Sequence, residues 1–384
     1  VRNHYIGYFM NTPLVTVITS YYNDQAFLKD AIDSVLAQTY KNWELILINH
    51  ASTDSRRDIA HSYKDERIKH IDLHQNYGAT GNFLAQTGLK NANGEFIKFL
   101  SADDILKPNA LNTLLQAALT NQADLVFGNL EFIDIHKNLL GKNWFEHHYP
   151  ILGDEIAYLQ ALLQGTSPLP FPGNFIRKKV AEQIHLDCSI ILNADMRNWA
   201  EILLNGGKLC FVKEPVVLYR IHSGQMCSVH AYDNIIKRSA FEAVRFIKVF
   251  LQSSLSVNKI KELLPLDPYA QLLTETDSLL VPFVLAHHVS YHTKNIFYRW
   301  SARLALADIL DNPILRAAIE QKFSFSIKNI RQEITENPIY LSHNPPIREA
   351  SFSTLGYYFF RKLFSIILLR DYRHKKQFSK KKVV

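Results

Sequence analysis

Through its first 130 residues the chain alternates short apolar runs with longer amphipathic stretches. Leu14 to Ser20 is rich in β-branched residues and reads as a buried strand. Phe27, Leu28, Ala31, Ile32, Val35 and Leu36 then return at helical spacing. Trp43 to Ile48 predicts a second strand, Ser52-Thr53-Asp54 a helix start, and Arg67 to Leu73 a third strand. A turn over Asn76 to Gly81 leads into a helix ending near Leu89; Glu95 to Leu100 is a fourth strand, Pro108 to Leu119 a helix, and Asp124 to Phe127 a fifth strand. Such alternation predicts an α/β fold: a Rossmann-like, mostly parallel sheet with helices on both faces. Polar residues follow three of these strands, at Ser20-Tyr21-Tyr22-Asn23, Asn49-His50 and Ser101-Ala102-Asp103-Asp104. Ligands in such sheets gather at the carboxyl ends of the strands, so the three clusters are expected to meet in one crevice.

Beyond Phe127 the pattern loosens. Pro168, Pro170, Pro172 and Gly173 mark a loop, Ala194 to Leu204 a helix closed by Gly206-Gly207, and Lys208–Val212 and Val216–Arg220 two short strands. From about 231 to 345 the apolar spacing is helical, for instance at Ile235, Ala240, Ala243, Ile247 and Phe250. The expected organisation is an N-terminal extension (1–12), an α/β unit (13–230, in halves 13–128 and 129–230), an α-helical C-terminal region (231–345) and a tail (346–384).

Charge matters mainly in that tail. Residues 351–384 carry nine basic residues against one acid, Asp371, so the whole net charge of +7 resides there. The rest of the chain is close to neutral, which argues against a nucleic-acid surface on the folded body. The tail pairs an apolar, aromatic stretch (Phe352–Leu369) with the basic run Arg370–Lys382. That combination fits an interfacial anchor on an anionic membrane, or a C-terminal helix packed on the helical region and ending in solvated charge. Three cysteines without a C-x-x-C pair argue against a disulfide framework or a structural zinc site of that kind and fit a reducing compartment. The start has no long apolar run with a small-residue cleavage site, so no secretory leader is expected. The expected location is cytoplasmic, peripheral on the inner face of the cell membrane.

The adjacent acids Asp103 and Asp104 sit where a sheet's mouth would place them. Two neighbouring carboxylates repel, and a cation between or beside them relieves that repulsion. This motif does not stand alone. Pro13 to Asn23, Ser34-Val-Leu-Ala-Gln-Thr-Tyr40, Ala51-Ser-Thr-Asp54, Asn76-x-Gly78 and Gly94 to Asp104, in that order, resemble family 2 glycosyltransferases. Asp195, Trp199, Gly206-Gly207, Glu214-Pro215 and Tyr219-Arg-Ile-His-Ser-Gly224 resemble the acceptor half of that family. The resemblance covers about residues 13–225 and implies the GT-A fold and inverting transfer of a sugar from a nucleotide-diphosphate sugar to a hydroxyl of a glycan or lipid-linked glycan.

It also implies roles. Asp103 takes the place of the last acid of the family's D-x-D motif and is expected to hold Mn2+ or Mg2+, which stabilises the departing diphosphate. Ser101 replaces the first acid; it can bond a ribose hydroxyl but brings no charge. Ala102 lies between them. Ser20, Tyr22, Asn23, Asn49, His50, Asn76 and Gly78 are the other expected donor-binding residues, with Tyr22 stacking on the base. Asn23 is equally a helix cap, Asn76, Gly78 and Asn82 are equally turn-formers, and His50 is equally a bystander. Asp195 matches the base that takes the acceptor's proton, or is a plain first-turn acid of its helix. His222 is a metal ligand, a phosphate contact or a structural histidine. Arg220 steadies a phosphate or pairs with an acid, and Asp104 orients Asp103 or faces the acceptor. The family's arginine after the third strand is missing, with Ala85 or a neighbour in its place. The pairs His147-His148 and His287-His288 are adjacent rather than i, i+4 and are read as no metal site. Absence of G-x-G-x-x-G, of a P-loop and of G-x-S-x-G argues against dinucleotide oxidoreductases, P-loop enzymes and serine hydrolases. Two rivals remain: a nucleotide-sugar-binding module that has lost turnover, and a nucleotidyltransferase.

Overall fold

The computed structural model describes residues 12–23, 27–78, 81–148, 154–222, 232–324 and 328. Most of the expected N-terminal extension and all of the tail lie outside the described residues. The strands are β1 (Val15–Tyr21), β2 (Trp43–Asn49), β3 (Ile68–Asp72), β4 (Phe96–Phe99), β5 (Ile105–Leu106), β6 (Leu125–Ile133), β7 (Leu139–Asn143), β8 (Asn174–Arg177) and β9 (Leu209–Arg220). They form one sheet in the order β3-β2-β1-β4-β8-β6-β9-β5, with β7 paired to β6.

The first four strands of that order are parallel, as the alternating pattern predicts. Beyond β4 the sheet is mixed. β8 runs antiparallel to both β4 and β6, and β5 runs antiparallel to β9. These added strands are short and lack their own periodicity. β8 emerges from the proline-rich loop, and Gly173 just before it lies so close to β6 that a Cβ would stand 2.3 Å from the carbonyl oxygen of Gly128. The two strands expected over Lys208–Val212 and Val216–Arg220 are one bent strand. Its register against β6 slips where Asn129 meets Pro215, a residue with no N–H to give to the ladder.

Helices α1 (Leu28–Leu36), α2 (Arg56–Ser62), α3 (Gly81–Asn91), α4 (Ala110–Thr120), α5 (Trp144–His148), α6 (Glu155–Leu163), α7 (Lys178–Ala181) and α8 (Ala194–Leu204) accompany the sheet. Side chains alternate along β1, so the sheet is buried on both faces. Val15 and Val17 pack with α1 and α4, while Ile18 joins the opposite cluster with Leu159 of α6 and Trp199 of α8. Trp199 meets the edge of Phe127 at 5.5 Å and so seats α8 on β6.

That second cluster continues without a break into the C-terminal helices α9 (Tyr232–Gln252), α10 (Val257–Leu263), α11 (Pro268–Leu272), α12 (Val281–His292), α13 (Ile296–Asp311) and α14 (Pro313–Phe323). α9 buries Ala243, Phe246, Ile247 and Phe250, an i, i+3, i+4, i+7 stripe. Phe246 stacks on Tyr298 of α13 at 4.9 Å. Each such fully buried aromatic or aliphatic side chain contributes about 1.5–3 kcal/mol. Among the described residues no helix is long and apolar enough to cross a membrane.

Candidate active site

The site is built on the turn after β4. Ile105 pairs with Leu218 in antiparallel register, so continuing that register sets the Asp103–Asp104 turn beside Arg220 at the end of β9. The N–H of Asp104 donates to the carbonyl of Ser101 at 3.2 Å and closes the turn. Two residues past Arg220, the His222 Nε2 atom lies 3.0 Å from Asp103 Oδ2. Both side chains are partly open to solvent, and the ring of Phe27 packs edge-on against His222 at 5.3 Å. Asp103 and His222, 119 residues apart in sequence, are thus brought together.

Arg220 is a buried staple. Its side chain is fully enclosed. Nε donates to the Asp103 carbonyl at 2.9 Å, one terminal nitrogen pairs with Asp30 of α1 at 2.9 Å, and the other donates to the carbonyls of Asp134 and Ile135. Its guanidinium also lies over Phe27, 4.1 Å from the ring centroid. Of the two roles open to it, the structure displays the acid pair. The backbone N–H of Arg220 donates to Asp104 Oδ1 at 3.0 Å, and Asp104 is buried outright. Asp104 therefore stands behind Asp103 rather than facing solvent.

Burial raises the pKa of Asp104 well above the carboxylate range, and the neighbouring charge of Asp103 adds to the shift. Lys98, fully buried on β4, is pushed down to about 7 by the same loss of solvent, although Asp104 pulls it the other way. Its ammonium donates to the carbonyls of Pro172 and Phe99. Between about pH 7 and 10.5 the unfolded chain holds a proton on Lys98 that the folded chain lacks. Stability is therefore expected to rise with pH across that window, by at most about 1.4 kcal/mol per unit. Urea melts at several pH values in that range should show the slope, and Lys98→Met should flatten it; an unchanged slope in the variant would place the titration elsewhere.

At the ends of β1 and β2 exposed rings stand beside buried, hydrogen-bonded side chains. Tyr22 is 40% exposed and meets the edge of the His50 ring at 6.1 Å. His50 is buried and stacks on Tyr77, itself 45% exposed. The N–H of Tyr77 donates to His50 Nε2 at 2.8 Å, which fixes the proton of the neutral ring on Nδ1. Burial lowers the pKa of His50 and favours that neutral form. Asn49 has both polar groups engaged: its amide donates to Asp72 at 2.9 Å and its carbonyl accepts the Ser52 N–H at 2.8 Å. Burial alone would raise the pKa of Asp72, but hydrogen bonds from Asn49, Arg57 and His61 hold it below the usual value.

Asn23 is not the residue that caps α1, whose N-terminal neighbour is Phe27, and it is partly exposed. It exchanges two hydrogen bonds with Thr53, each of 2.9 Å, and ties the β1 loop to the β2 loop. Asn76 accepts the N–H of Gly78 at 2.7 Å, and Gly78 adopts φ +81°, where a side chain would be strained. Ser20 lies in β1 opposite Ile48, and Ala102 is buried in the turn.

Asp195 occupies the first turn of α8, where its Oδ1 accepts the N–H of Met196 at 2.9 Å. Two contacts missed by sequence reasoning hold this helix. Asn82 on α3 donates to the Asp187 carbonyl and accepts from Asn198 at 2.7 Å, joining α3 to α8. Glu242, buried in α9, accepts the backbone N–H groups of Ile191, Leu192 and Asn193 and the side-chain amide of Asn193, all between 2.8 and 3.1 Å. The C-terminal helices thereby fix the loop that delivers Asp195. The only sequence signal for Glu242 is an acid on the otherwise apolar stripe of α9. Asn174 is similar: its amide caps the end of β4 by bonding both the N–H and the carbonyl of Phe99.

Residues 16–184 match the model of glycosyl transferase family 2. The chain is 33% identical over 174 residues to the UDP-Glc:alpha-D-GlcNAc-diphosphoundecaprenol beta-1,3-glucosyltransferase WfgD of Escherichia coli, covering 44% of this chain and 68% of that protein. It is 26% identical over 227 residues to glycosyltransferase GlyA of Streptococcus pneumoniae, covering 56% of this chain and only 32% of that longer protein. The crystal structure of S. aureus TarS 1–349 in complex with UDP superposes with a TM-score of 0.52 at 13% identity, over 77% of this chain and 88% of that one. This likeness shows the fold, the GT-A arrangement that the sequence leads one to expect. The order of motifs, the sheet that carries them and the extent of the match to the E. coli protein agree, and the chain belongs to glycosyl transferase family 2.

Proposed function

We propose that this protein transfers a sugar from a nucleoside-diphosphate sugar to a hydroxyl of a glycan or lipid-linked glycan, with inversion at the anomeric carbon. The observation that carries the reading is the pairing of Asp103 with His222 at the mouth of the sheet, on a turn clamped from behind by Arg220 and Asp104. A carboxylate and an imidazole held within 3.0 Å and partly open to solvent fit a divalent cation with mixed ligand preference, Mn2+ ahead of Mg2+. Such an ion, when bound, neutralises charge that develops on the departing diphosphate.

The protein's own groups supply the remainder. Tyr22 and Tyr77, exposed on either side of His50, offer flat apolar surface to a nucleobase. Ser101 and the turn beside it face the ribose side of the donor. Asp195 accepts the proton of the acceptor hydroxyl as its oxygen bonds to the anomeric carbon, while the bond from that carbon to the diphosphate oxygen breaks. The nucleoside diphosphate leaves with the electron pair. The catalytic unit is taken as residues 13–230, and the acceptor class follows the E. coli relative, whose name specifies a sugar on diphosphoundecaprenol.

A thermal-shift screen of UDP-, GDP-, dTDP- and CMP-sugars with and without Mn2+ tests the donor half. One nucleotide class should raise Tm, and Mn2+ should enlarge the shift, because a ligand bound to the folded state stabilises it by mass action. The same donor, with a lipid-diphosphate-linked sugar added, should release nucleoside diphosphate. Stabilisation without release would mean a binding module; consumption of a nucleoside triphosphate with release of pyrophosphate would mean a nucleotidyltransferase.

A further inference from the structure

A second group of ligating side chains lies in the C-terminal helices, outside the site described above. Asp267 precedes α11 and caps it: Oδ1 accepts the N–H groups of Tyr269 and Ala270, each at 3.0 Å. Its other oxygen, Oδ2, is 2.8 Å from Nδ1 of His288 on α12. One helical turn later on the same face stands His292, and the two imidazole rings are 4.8 Å apart between centroids. One ligating atom from each of the three side chains lies within 4.8 Å of the other two. They grade outward from buried Asp267 through half-buried His288 to exposed His292. An ion pair joining α12 to the cap of α11 accounts for Asp267 and His288. It leaves His292 unexplained, and that ring makes no hydrogen bond to any described residue. The adjacent pair His287-His288 disguises the pattern, because the partner of His288 is the residue four positions on.

We propose that Asp267, His288 and His292 bind a borderline transition-metal cation, with Zn2+ the best match. Two imidazoles and a carboxylate form a ligand set that Zn2+ accepts, whereas Mg2+ prefers oxygen alone. Zinc–nitrogen bonds of about 2.0–2.1 Å require the three atoms to draw together, and His292, exposed and with its ring against that of His288, needs only a side-chain turn to do so. The proton shared between His288 Nδ1 and Asp267 Oδ2 is released to solvent, and water completes the coordination. The bound ion would cross-link α12 to the start of α11, which makes the site structural.

The test uses the full chain, stripped with a chelator and titrated with Zn2+, Co2+ and Mn2+ by calorimetry and thermal melting. Zinc should bind and raise Tm, and Co2+ should give a visible ligand-field band without a thiolate charge-transfer band. His292→Ala should lower zinc affinity at least tenfold and abolish the Co2+ band. Asp267→Asn should also weaken binding while keeping the helix cap, since asparagine caps equally well. Neither variant should alter the effect of Mn2+ on donor binding, which separates this site from Asp103 and His222. Zinc affinity and stoichiometry unchanged in His292→Ala, or no zinc binding by the native chain, would overturn the proposal.

Discussion

Asp195→Asn is expected to slow sugar transfer by ~10^2–10^4-fold while leaving the affinity for the donor nucleotide nearly unchanged. The amide keeps the size of the side chain and an acceptor oxygen for the Met196 N–H, so α8 should start as before. What it loses is basicity: an amide cannot take the acceptor's proton. Asp103→Asn is the instructive contrast. That change sits in the Asp103–His222 pair, so it should weaken donor binding and blunt the response to Mn2+ as well as the rate. Rates at saturating donor and acceptor, together with nucleotide affinities by calorimetry, distinguish the two patterns. An Asp195→Asn enzyme retaining more than about a tenth of native activity would require another base.

Glu242→Ala is the second large effect, and it lies in no motif. The carboxylate gathers three consecutive backbone N–H groups and one side-chain amide in the interior. Its removal leaves several buried donors without an acceptor, at about 1–3 kcal/mol each before relaxation. A loss of roughly 3 kcal/mol or more is expected, visible as a Tm lower by roughly 4 °C or more. Activity measured well below the melting temperature should also fall, by roughly 10–100-fold, because the freed loop carries Asp195 and small misplacements are costly. Glu242→Gln retains one acceptor oxygen and should fall between native and Ala in both readouts. Native-like turnover in a destabilised Glu242→Ala protein would restrict Glu242 to holding the fold.

The local elements and the order of the motifs were legible because each rests on neighbouring residues. Apolar periodicity marks β1 to β4 and the helices between them, and the polar clusters at their ends follow from where strands stop. The parallel half of the sheet, the helical C-terminal region and family membership come from that level. Charge placed the basic character in the tail, outside the described residues. Which partners a polar side chain bonds within the protein was decided only in three dimensions. Asn49 and Asn23 stand where donor contacts were expected, and each also gives one hydrogen bond to, and accepts one from, partners 3 to 30 residues away. Arg220 turned inward to Asp30, 190 residues distant in sequence, and Asp104 was buried beneath the turn. The short strands β5 and β8, which seat that turn and β4, have too few residues to show a period and exist only because longer strands offer them open edges. Spacing along the chain fixes which face a residue takes on its own helix or strand, whereas burial and pairing across the chain depend on which elements meet.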